Sequence, residues 1–557
     1  MSGQSLSFAG ATSRFPVIPT KIPSQAPTSE ANLKAWAEVL DEYRDALEKA
    51  CSQGSAESVE KHSQRGQLLG ARMGGGGHAR ARARAVSLIL DEQSPFLELG
   101  AFAGHDNPDS TPSASLVTGI GLVNRVPVMI IAHIPTINGG AWNELTVRKQ
   151  NRATEIATEN KLPIIALVQS QFRVFHIGGQ IFRDLARRTQ DGCPSCAIVF
   201  GSSTAGGAYH PALSDYTIFV EGQAQVFLGG PPLVKMATGE VAEAEALGGA
   251  EMHATVTGLA DQLAVDEFDA IEKARDWVLV IARQAAGSLS GRPQQLAAPP
   301  AYDPEQLLQI VDPDIRKPMD MMEVILRIVD RSAVEVFKPN FGKGMITAWA
   351  NIHGHLAGII ANQQPVINPD EADKSTHFIH LCNQSRIPII FLHNVTGFMV
   401  GTRTERAGLI KKGARFVSAV STSTVPHVGV ICGASYGAGN YAMCGRSYRP
   451  RFLFTWPTGR CSVMGPAQLS GVMENITRAS AARSGRRVDE TGLAAEVGRF
   501  RDGVERDSRA YATSGNLLDD GIVDPRDTRD VLGMCLEVVK SGEPVKGSAG
   551  SSILARI

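Results

Sequence analysis

The sequence predicts an α/β protein made of two copies of one layered fold, and three observations support this prediction. The chain has 557 residues, which is long enough to bury two or more separate cores. Short apolar stretches typical of strands alternate with polar-faced helical stretches, as expected for α/β layers joined by right-handed crossovers. The pattern of the first half returns in the same order in the second half, which indicates an internal duplication.

The duplication is clearest at two buried strands. The first, Lys161-Leu-Pro-Ile-Ile-Ala-Leu-Val168, has the same form as Arg386-Ile-Pro-Ile-Ile-Phe-Leu-His393 in the second half. Each strand follows a predicted polar-faced helix, Arg148–Asn160 in one half and Ala372–Ser385 in the other. Each helix is preceded by a pair of predicted strands: Leu116–Val123 with Val126–Ala132, and Met345–Ile352 with Leu356–Asn362. We therefore expect the two halves to form equivalent sheets.

A glycine-rich turn follows a strand in each half. The segment Ala197-Ile-Val-Phe-Gly-Ser-Ser-Thr-Ala-Gly-Gly-Ala-Tyr209 corresponds to Val428-Gly-Val-Ile-Cys-Gly-Ala-Ser-Tyr-Gly-Ala-Gly-Asn-Tyr441. Both segments pass from a β-branched strand through small residues into the start of a helix. The interval between the buried strand and this turn is shorter in the first half than in the second.

The order of these patterns predicts four segments along the chain. Residues 1–30 are interpreted as a flexible leader because they are rich in Ser, Thr and Pro, and 31–290 as the first lobe. A stretch rich in Ser, Gly, Gln, Ala and Pro predicts a linker at 291–304, so that 305–557 form the second lobe. The arginine-rich stretch Arg72–Arg84 is interpreted as a loop that runs into an exposed helix.

Composition and charge exclude several classes of protein. The 55 Lys and Arg residues nearly balance the 56 Asp and Glu residues, so the chain has no overall basic charge for nucleic acid or anionic membranes. Its apolar runs are too short to span a bilayer, and the N-terminal residues contain no hydrophobic signal core. We therefore expect a protein of the cytosol or the mitochondrial matrix rather than a secreted one.

The eight cysteines are scattered along the chain, which indicates a reducing compartment rather than a disulfide framework. Cys193-Pro-Ser-Cys196 has no second Cys-x-x-Cys to complete a zinc site. It is therefore interpreted as a turn that leads into a strand at Ala197–Phe200, and no metal is expected in this chain.

The glycine turns indicate binding of an anion or an oxyanion. A strand that ends in small residues and enters a helix presents unpaired backbone N–H groups, which can hold a phosphate or a developing negative oxygen. No phosphate-loop motif is present, and Gly437–Ala442 lacks the acidic residue that a dinucleotide site needs. Tight strand–helix packing is the alternative explanation, but two matched turns in duplicated halves favour a functional one.

One turn also matches the Gly-x-Ser-x-Gly pattern of serine hydrolases, at Gly433-Ala-Ser-Tyr-Gly437. That mechanism needs a histidine after the serine, and no histidine follows His427, so Ser435 is not expected to be a nucleophile. His210, beside the first turn, is interpreted as a wall residue rather than a base. The chemistry is therefore expected to depend on backbone N–H donors.

Several long motifs occur in order along the chain. They are Ser94–Leu99, Thr146–Lys149, Thr204–Tyr209 and Leu228–Gly239 in the first half, and Asn394–Gly401, Ser435–Tyr441, Cys444–Arg446 and Asp519–Asp524 in the second. With these motifs the sequence resembles the carboxyltransferase β subunits of biotin-dependent acyl-CoA carboxylases, above all those for methylcrotonyl-CoA and propionyl-CoA. The resemblance extends from about Arg65 to about Val531. It implies a fold of tandem crotonase-like lobes, each a ββα superhelix.

The resemblance implies a reaction and its site residues. A carboxyl group passes from carboxybiotin to the α- or γ-carbon of an acyl-CoA, and negative oxygens develop on biotin and on the thioester, so two oxyanion holes are needed. Ala438 and Gly439 are implied as the biotin-side donors. The remaining implied residues are Gly397, Phe398, Val400 and Gly437 for binding biotin, and Ser170, Ala205, Gly206, Gly207 and Tyr209 for binding acyl-CoA.

The resemblance also implies partners. The chain has no Ala-Met-Lys-Met biotinylation motif and no ATP-binding carboxylase segment, so a separate biotin carboxylase and biotin carrier subunit is expected to act in trans. The lobes that meet at one site come from different subunits in this family, which implies a homo-oligomer, a dimer of trimers. The expected ligands are biotin on the carrier and a coenzyme A thioester, with no metal, nucleic acid or membrane. The acyl group is acetyl, propionyl, methylcrotonyl or geranyl, and Tyr436–Tyr441 favours the last two.

The first lobe departs from the family pattern after its buried strand. The family has Ser-Gly-Gly-Ala there, whereas this chain has Gln169-Ser-Gln-Phe-Arg-Val-Phe-His-Ile-Gly-Gly-Gln180, which lacks the Gly-Gly-Ala. His133-Ile134 also lies where the family usually has Asn-Asp. Three explanations are open: a real loss that impairs catalysis, replacement of the lost donors by Gly178-Gly179, or a gene-model error.

Two other functions are therefore alternatives. A catalytically impaired paralogue would act as an assembly or regulatory subunit beside active copies. Another crotonase-like enzyme, a CoA decarboxylase or hydratase, would turn over without biotin, although the sequence shows no clear carboxylate pair for a hydratase.

Overall fold

The strands form two large sheets, one from each half of the chain. The computed structural model describes residues 15–22, 28–52, 54–64, 68, 85–107, 110–169, 174, 176–286, 297–484 and 487–541. Within these residues each large sheet has seven strands, and two further sheets have two strands each.

The first large sheet combines an antiparallel edge with a parallel body. The strands of this half are β1 Phe96–Leu99, β2 Leu116–Val123, β3 Val126–His133, β4 Ile164–Val168, β5 Ser195–Val199, β6 Ser202–Thr204, β7 Tyr216–Val220, β8 Gln225–Phe227 and β9 Gln262–Ala264. The large sheet has the order β1-β2-β3-β4-β5-β7-β9, and β6 pairs with β8. The pairs β1–β2 and β2–β3 are antiparallel and the later ones parallel. The carboxyl ends of β4 and β5 therefore lie side by side, where α/β sheets bind ligands.

The second large sheet repeats this arrangement. Its half contains β10 Val334–Val336, β11 Met345–Ile352, β12 His355–Asn362, β13 Val366–Ile367, β14 Ile389–Val395, β15 Gly397–Phe398, β16 His427–Tyr436, β17 Phe452–Thr455 and β18 Arg460–Ser462. The order is β10-β11-β12-β14-β16-β17, with β18 also paired to β16, while β13 pairs with β15. Its first two pairs are antiparallel and the others parallel. The prediction of a duplicated α/β fold is confirmed.

Helices cover the sheets and connect the parallel strands. In the first half they are α1 Thr28–Ala50, α2 Ala56–Gln64, α3 Ala85–Ile89, α4 Glu144–Glu159, α5 Gly178–Gln190, α6 Tyr209–Leu213, α7 Pro231–Thr238, α8 Ala244–Gly248, α9 Ala250–Met252 and α10 Glu267–Ala286. In the second half they are α11 Leu307–Ile310, α12 Met321–Leu326, α13 Pro369–Ser385, α14 Thr402–Arg406, α15 Leu409–Thr422, α16 Gly437–Ala442, α17 Pro466–Arg483, α18 Glu490–Ser508, α19 Ala510–Gly515 and α20 Thr528–Ser541. Among the described residues, no helix has the length and apolar character needed to cross a membrane.

The two helices that precede β4 and β14 begin earlier than the apolar pattern predicts. At α4, Asn143 Oδ1 accepts a hydrogen bond from Thr146 N at 2.9 Å. At α13, Asn368 N donates to a carboxylate oxygen of Glu371 at 3.1 Å, and the first helical residue is Pro369. Capping residues and an initial proline therefore set these helix starts, because they satisfy or remove N–H groups that have no acceptor within the helix.

Two buried lysines occupy equivalent places in the two lobes. Lys149 on α4 donates from Nζ to the carbonyl oxygen of Ser113 at 3.0 Å and to its hydroxyl at 2.7 Å. Lys374 on α13 donates to the carbonyl oxygen of Met345 at 2.8 Å, and burial lowers the pKa of its ammonium to about 8. Each lysine fastens its helix to the start of the preceding hairpin, since a buried ammonium needs polar partners.

One hydrophobic core joins the two lobes. It contains buried side chains from both large sheets, such as Met129 of the first and Phe454 of the second. Helix α1 adds Trp36 to this core, and its indole N–H donates to the carbonyl oxygen of Val311 at 2.8 Å. The first helix of the chain therefore packs against the second half.

A buried carboxylate also links the lobes. Asp520 accepts hydrogen bonds at 2.9 Å from Nε and Nη2 of Arg152 and from Nη1 of Arg446. Burial by itself raises the pKa of Asp520, but the two guanidinium groups outweigh burial and hold this pKa well below its usual range. Arg152 lies on α4 of the first lobe and Arg446 follows α16 of the second, so one carboxylate connects both halves.

Part of the predicted leader packs on the second lobe. Within residues 15–22, the hydroxyl of Thr20 and the backbone N–H of Lys21 donate to the two carboxylate oxygens of Glu323 at 2.6 and 2.7 Å. The lobe boundaries and the linker stay predictions. Residues 287–296 and the arginine-rich stretch Arg72–Arg84 lie outside the described residues.

Replacing Asp520 with Asn is expected to destabilise the protein by about 3–5 kcal/mol, because two largely buried guanidinium groups lose their compensating charge. Denaturant unfolding at neutral pH measures this loss. Because the pKa of Asp520 is lowered in the fold, its contribution is present at neutral pH and is lost as the pH falls below about 3.9, the ordinary carboxyl value. Asp314→Asn is the control, since Asp314 pairs with the exposed Arg316. Equal losses in the two variants would contradict the linking role.

Candidate active site

In the second lobe, β16 ends in a turn that contains the two predicted biotin-side donors. Gly437 starts α16 with a φ of 53°, and a Cβ there would lie 2.9 Å from the carbonyl oxygen of Val463, so this position requires glycine. Ala438 and Gly439 follow in the first turn of the helix. The N–H groups of a first turn have no acceptor within the helix, so they are available to a ligand.

Strand β15 brings a third glycine to the same place. A Cβ on Gly439 would lie 2.7 Å from Val395 Cγ2 and 3.1 Å from Gly397 Cα, so the two glycines pack closely. Gly397 has a φ of 145°, and a Cβ there would meet open space. The fold thus brings together the predicted residues Gly397, Gly437 and Gly439, with open space beside Gly397.

Two other predicted biotin-site residues differ in their exposure. Phe398 is half-buried, and its ring lies against α15, where a Cβ on Gly413 would come within 3.0 Å of Cε1. Val400, just beyond β15, is 81% exposed. Phe398 therefore supports the turn, whereas Val400 offers an apolar contact to a ligand or to another subunit.

A buried hydrogen-bond network supports the second-lobe turn. Asn440 Nδ2 donates to Ser435 Oγ at 2.9 Å, and Ser435 Oγ lies 2.9 Å from His393 Nδ1. Burial lowers the pKa of His393 to about 3, so the imidazole is neutral at neutral pH. We assign the serine proton to the bond with His393, because Asn440 can only donate through Nδ2. The network connects β14 with the first turn of α16.

This network also explains the hydrolase-like motif around Ser435. Its histidine partner, His393, precedes the serine in the chain, so a search for a downstream histidine could not find it. Ser435 is completely buried, which agrees with the expectation that it is not a nucleophile. The side chain has a supporting role beneath the turn.

In the first lobe, the corresponding turn forms a short 3₁₀ helix, Ala205–Ala208, between β6 and α6. Ala205 is exposed and has a left-handed φ of 55°, Gly206 is half-buried and Gly207 is buried. The hydroxyl of Ser203 donates to the carbonyl oxygen of Gly207 at 3.0 Å, which fixes the turn. The predicted acyl-CoA residues Ala205, Gly206 and Gly207 therefore lie in one turn. The backbone of this turn is strained at its first residue, Ala205.

The described residues cover only part of the segment that lacks the family motif. Gln169 follows β4, and its side chain fills the space beside Gly201, where a Cβ would lie 2.6 Å from Gln169 Cδ. Ser170, a predicted acyl-CoA residue, lies outside the described residues. Gly178-Gly179 form the first turn of α5, so their N–H groups have no acceptor within the helix.

Tyr209 connects the first-lobe turn with this helix. Its side chain is 47% exposed, and its ring centroid lies 5.8 Å from that of Phe182 on α5. The start of α5 therefore adjoins the predicted acyl-CoA surface. That is the arrangement needed if Gly178-Gly179 replace the missing donors.

The titratable groups beside the first turn do not form an acid–base pair or a metal site. His210 is almost completely buried, and burial lowers its pKa to about 3, which agrees with a wall residue rather than a base. In the part of the chain that the structure describes, no cluster of three or more His, Cys, Asp or Glu side chains could hold a metal ion. Cys193 and Cys196 are buried free thiols.

The two glycine turns on duplicated sheets have counterparts in known proteins. A family model described as the carboxyl transferase domain matches residues 77–546 of this chain. The chain belongs to the carboxyl transferase domain family. A probable biotin-dependent acyl-coenzyme A carboxylase beta2 subunit of Mycobacterium tuberculosis is 47% identical, and the match covers 92% of this chain and 95% of that protein.

Two further relatives agree with this membership. A probable mitochondrial methylcrotonoyl-CoA carboxylase beta chain of Drosophila melanogaster is 40% identical, over 94% of this chain and 92% of that protein. The solved beta subunit of P. aeruginosa geranyl-CoA carboxylase is 36% identical with a TM-score of 0.86, over 97% of this chain and 100% of that chain. The prediction of a carboxyltransferase subunit of the acyl-CoA carboxylase type is confirmed. The comparisons do not support the impaired-paralogue alternative.

Ser435→Ala is expected to lower the free energy of unfolding by about 1–3 kcal/mol, because His393 and Asn440 would stay buried without their shared partner. Denaturant unfolding measures the change. Ser421→Ala is the matched control, since the exposed Ser421 hydroxyl donates only to its own helix, at the Val417 carbonyl oxygen. A Ser435 variant as stable as the control would show that the network does not support the turn.

Proposed function

We propose that this chain transfers a carboxyl group from carboxybiotin on a carrier subunit to the α- or γ-carbon of an acyl-CoA of the methylcrotonyl or geranyl class. Relatives named for methylcrotonoyl-CoA and geranyl-CoA support this class. The second-lobe form Tyr436–Tyr441 supports the same branch. The single observation on which the proposal depends most is the close packing of Gly397 against Gly439, which leaves backbone N–H groups and open space together.

The second-lobe turn is proposed to bind biotin. Carboxybiotin supplies the carboxyl group when the carrier subunit brings it to the site. The backbone N–H groups of Ala438 and Gly439 then stabilise the negative oxygen that develops on the ring, as preorganised donors do at oxyanion holes. Gly397 and Gly437 let the ring approach the backbone, while Phe398 and Val400 supply apolar contact.

The first-lobe turn is proposed to bind the acyl-CoA. Ala205, Gly206 and Gly207 hold the thioester end against the carboxyl end of the first sheet, and the exposed ring of Tyr209 covers it. Ser170 is proposed to complete this surface. Donors for the thioester oxygen are proposed to come from the segment after β4 or from Gly178-Gly179 at the start of α5.

The partners are proposed to be a biotin carboxylase and carrier subunit and further copies of this chain in a dimer of trimers. Large apolar side chains are exposed near both turns and favour burial against another subunit: Leu228 and Met236 in the first lobe, and Val400, Ile410 and Val463 in the second. The expected compartment is the cytosol or the mitochondrial matrix. The second is supported by relatives named as mitochondrial in Drosophila melanogaster and Arabidopsis thaliana.

The test is carboxylation of acetyl-, propionyl-, methylcrotonyl- and geranyl-CoA with a competent biotin carrier subunit and bicarbonate. We expect carrier-dependent turnover with the methylcrotonyl or geranyl substrate. Co-purification with the carrier but no turnover would instead favour an assembly subunit, and biotin-independent turnover would favour a decarboxylase or hydratase. Sequencing the transcript across Leu167–Gly179 determines whether the missing Gly-Gly-Ala is real.

Gly439→Ala is expected to lower carboxyl transfer by about 10²–10³-fold, the usual cost of losing one oxyanion donor, because the new Cβ displaces Gly397 and the turn. Steady-state kinetics at saturating acyl-CoA measure the loss. Gly471→Ala on α17 is the matched control, since its Cβ would meet nothing within 4 Å and its activity should be unchanged. Equal activity of the two variants would argue against Gly439 as a donor.

A further inference from the structure

A cluster of buried polar side chains lies behind the first-lobe turn, and no step proposed above uses it. We call it the imidazole cluster. It consists of four side chains that are each at most 3% exposed: His133 at the end of β3, Trp142 in the following loop, Gln150 on α4 and His210 on α6. Four polar side chains from four separate segments meet here almost without access to solvent, so the hydrogen bonds that they make are to other protein groups.

The contacts within the imidazole cluster are specific. Trp142 Nε1 donates to His133 Nε2 at 3.1 Å. The rings of His133 and His210 meet edge to face with centroids 6.3 Å apart. Gln150 Nε2 lies 3.4 Å from His210 Nδ1. The cluster therefore joins the end of β3, α4 and α6 through side chains alone.

These contacts determine which groups His133 can bind. An indole N–H can only donate, so Nε2 of His133 provides a lone pair to Trp142, while Nδ1 faces the backbone N–H of Gln169 at the end of β4. Burial lowers the pKa of His133 to about 4, although hydrogen bonds with the Leu167 backbone and the Gln150 side chain act in the opposite direction. At neutral pH the ring is therefore uncharged.

His133 reaches the place where β4 ends. Its chain neighbour Ala132 is opposite Leu167 in the parallel pair of β3 and β4. The backbone N–H of Gln169 donates to His133 Nδ1 at 3.4 Å. A cavity of about 20 Å³ that His133, Val168 and Gln169 help to line has room for one water molecule. His133 therefore lies beside the end of β4.

The other side of the cluster reaches the candidate acyl-CoA surface. His210 directly follows Tyr209 at the start of α6, and its ring lies 6.5 Å from that of Trp142. A movement of His133 would therefore be transmitted both to the end of β4 and to the turn before α6. These are the two backbone segments between which the thioester is proposed to bind.

We propose that His133 is a positioning residue for the acyl-CoA half of carboxyl transfer, which fixes the carboxyl end of β4 against Thr204–Tyr209 without touching the substrate. The inference rests on the proposed role of that turn in acyl-CoA binding. The role requires an acceptor for Trp142 on a polar side chain that also lies against the end of β4. Asparagine also has an acceptor, whereas leucine has none.

The test compares His133→Leu with His133→Asn in the full chain together with its carrier subunit. Leucine is expected to lower kcat/KM for the acyl-CoA by about 10–100-fold, and asparagine to retain activity within about threefold of wild type. Release of the carboxyl group from the carboxylated carrier, without acyl-CoA, is expected to be unchanged in both. This split between the two halves of the reaction distinguishes positioning from a general loss of structure.

His427→Leu is the matched control. His427 is also a buried histidine, but it lies at the start of β16, and its Nε2 is 2.8 Å from Ser423 Oγ. Its replacement is expected to lower the thermal midpoint of unfolding without a selective loss of acyl-CoA kcat/KM. Midpoints measured on all three variants show how much of each kinetic change follows stability.

Two results would overturn the positioning role of His133, and a third would refute the proposed function. A His133→Leu variant with wild-type kcat/KM overturns the positioning role. Equal losses in both halves of the reaction, in proportion to the fall in thermal midpoint, also overturn it, because they show a structural role alone. A wild-type chain that carboxylates no acyl-CoA with its carrier refutes the proposed function instead.

Discussion

A buried carboxylate compensates charges from both lobes and holds them together beside their shared core. Asp520 compensates Arg152 on the helix before β4 and Arg446 just after the second-lobe turn, and its Oδ2 also accepts from the backbone N–H of Leu453. Charges removed from water stabilise a fold only when each has its partner in good geometry, so none of the three groups can be replaced alone without a large cost. The shared core supplies the apolar contact between the sheets, and this carboxylate adds a directional polar contact between the lobes.

The two lobes share the same lysine contact between helix and hairpin, whereas the support beneath their glycine turns differs. Lys149 and Lys374 each hold the helix that precedes the central parallel strand to the hairpin before it, by donating to backbone carbonyl oxygens. Beneath the turns the support is different: Ser435 with its two partners lies under the second, and the aromatic rings around His133 lie behind the first. The sheets and helices of the two lobes are therefore more alike than the glycine turns that they carry.

The sequence predicted the hairpins and the central strands almost residue for residue, because alternating and continuous apolar runs are local properties. It also predicted the glycine turn at Gly437–Gly439, since small residues mark places where backbones approach, whereas Gly397 was implied by the family resemblance. It could not predict the bond between His393 and Ser435, because these residues meet only after β14 and β16 pair in the sheet. The same holds for Asp520, whose partner Arg152 is far away in the chain. The start of α4 was missed for a different reason, because the local cap at Asn143 lies outside the apolar pattern.

The close packing of Gly439 against Gly397 has a consequence for how such a protein can change over evolutionary time. Where backbone meets backbone, an exchange of side chains cannot reshape the surface, so the second-lobe turn is expected to change little. The first-lobe turn is backed instead by side chains of the imidazole cluster, such as Trp142 and His210, so substitutions there can shift the surface in front of them. Under the proposed roles of the two turns, this architecture lets the carboxylated substrate diversify more readily than the carboxyl donor.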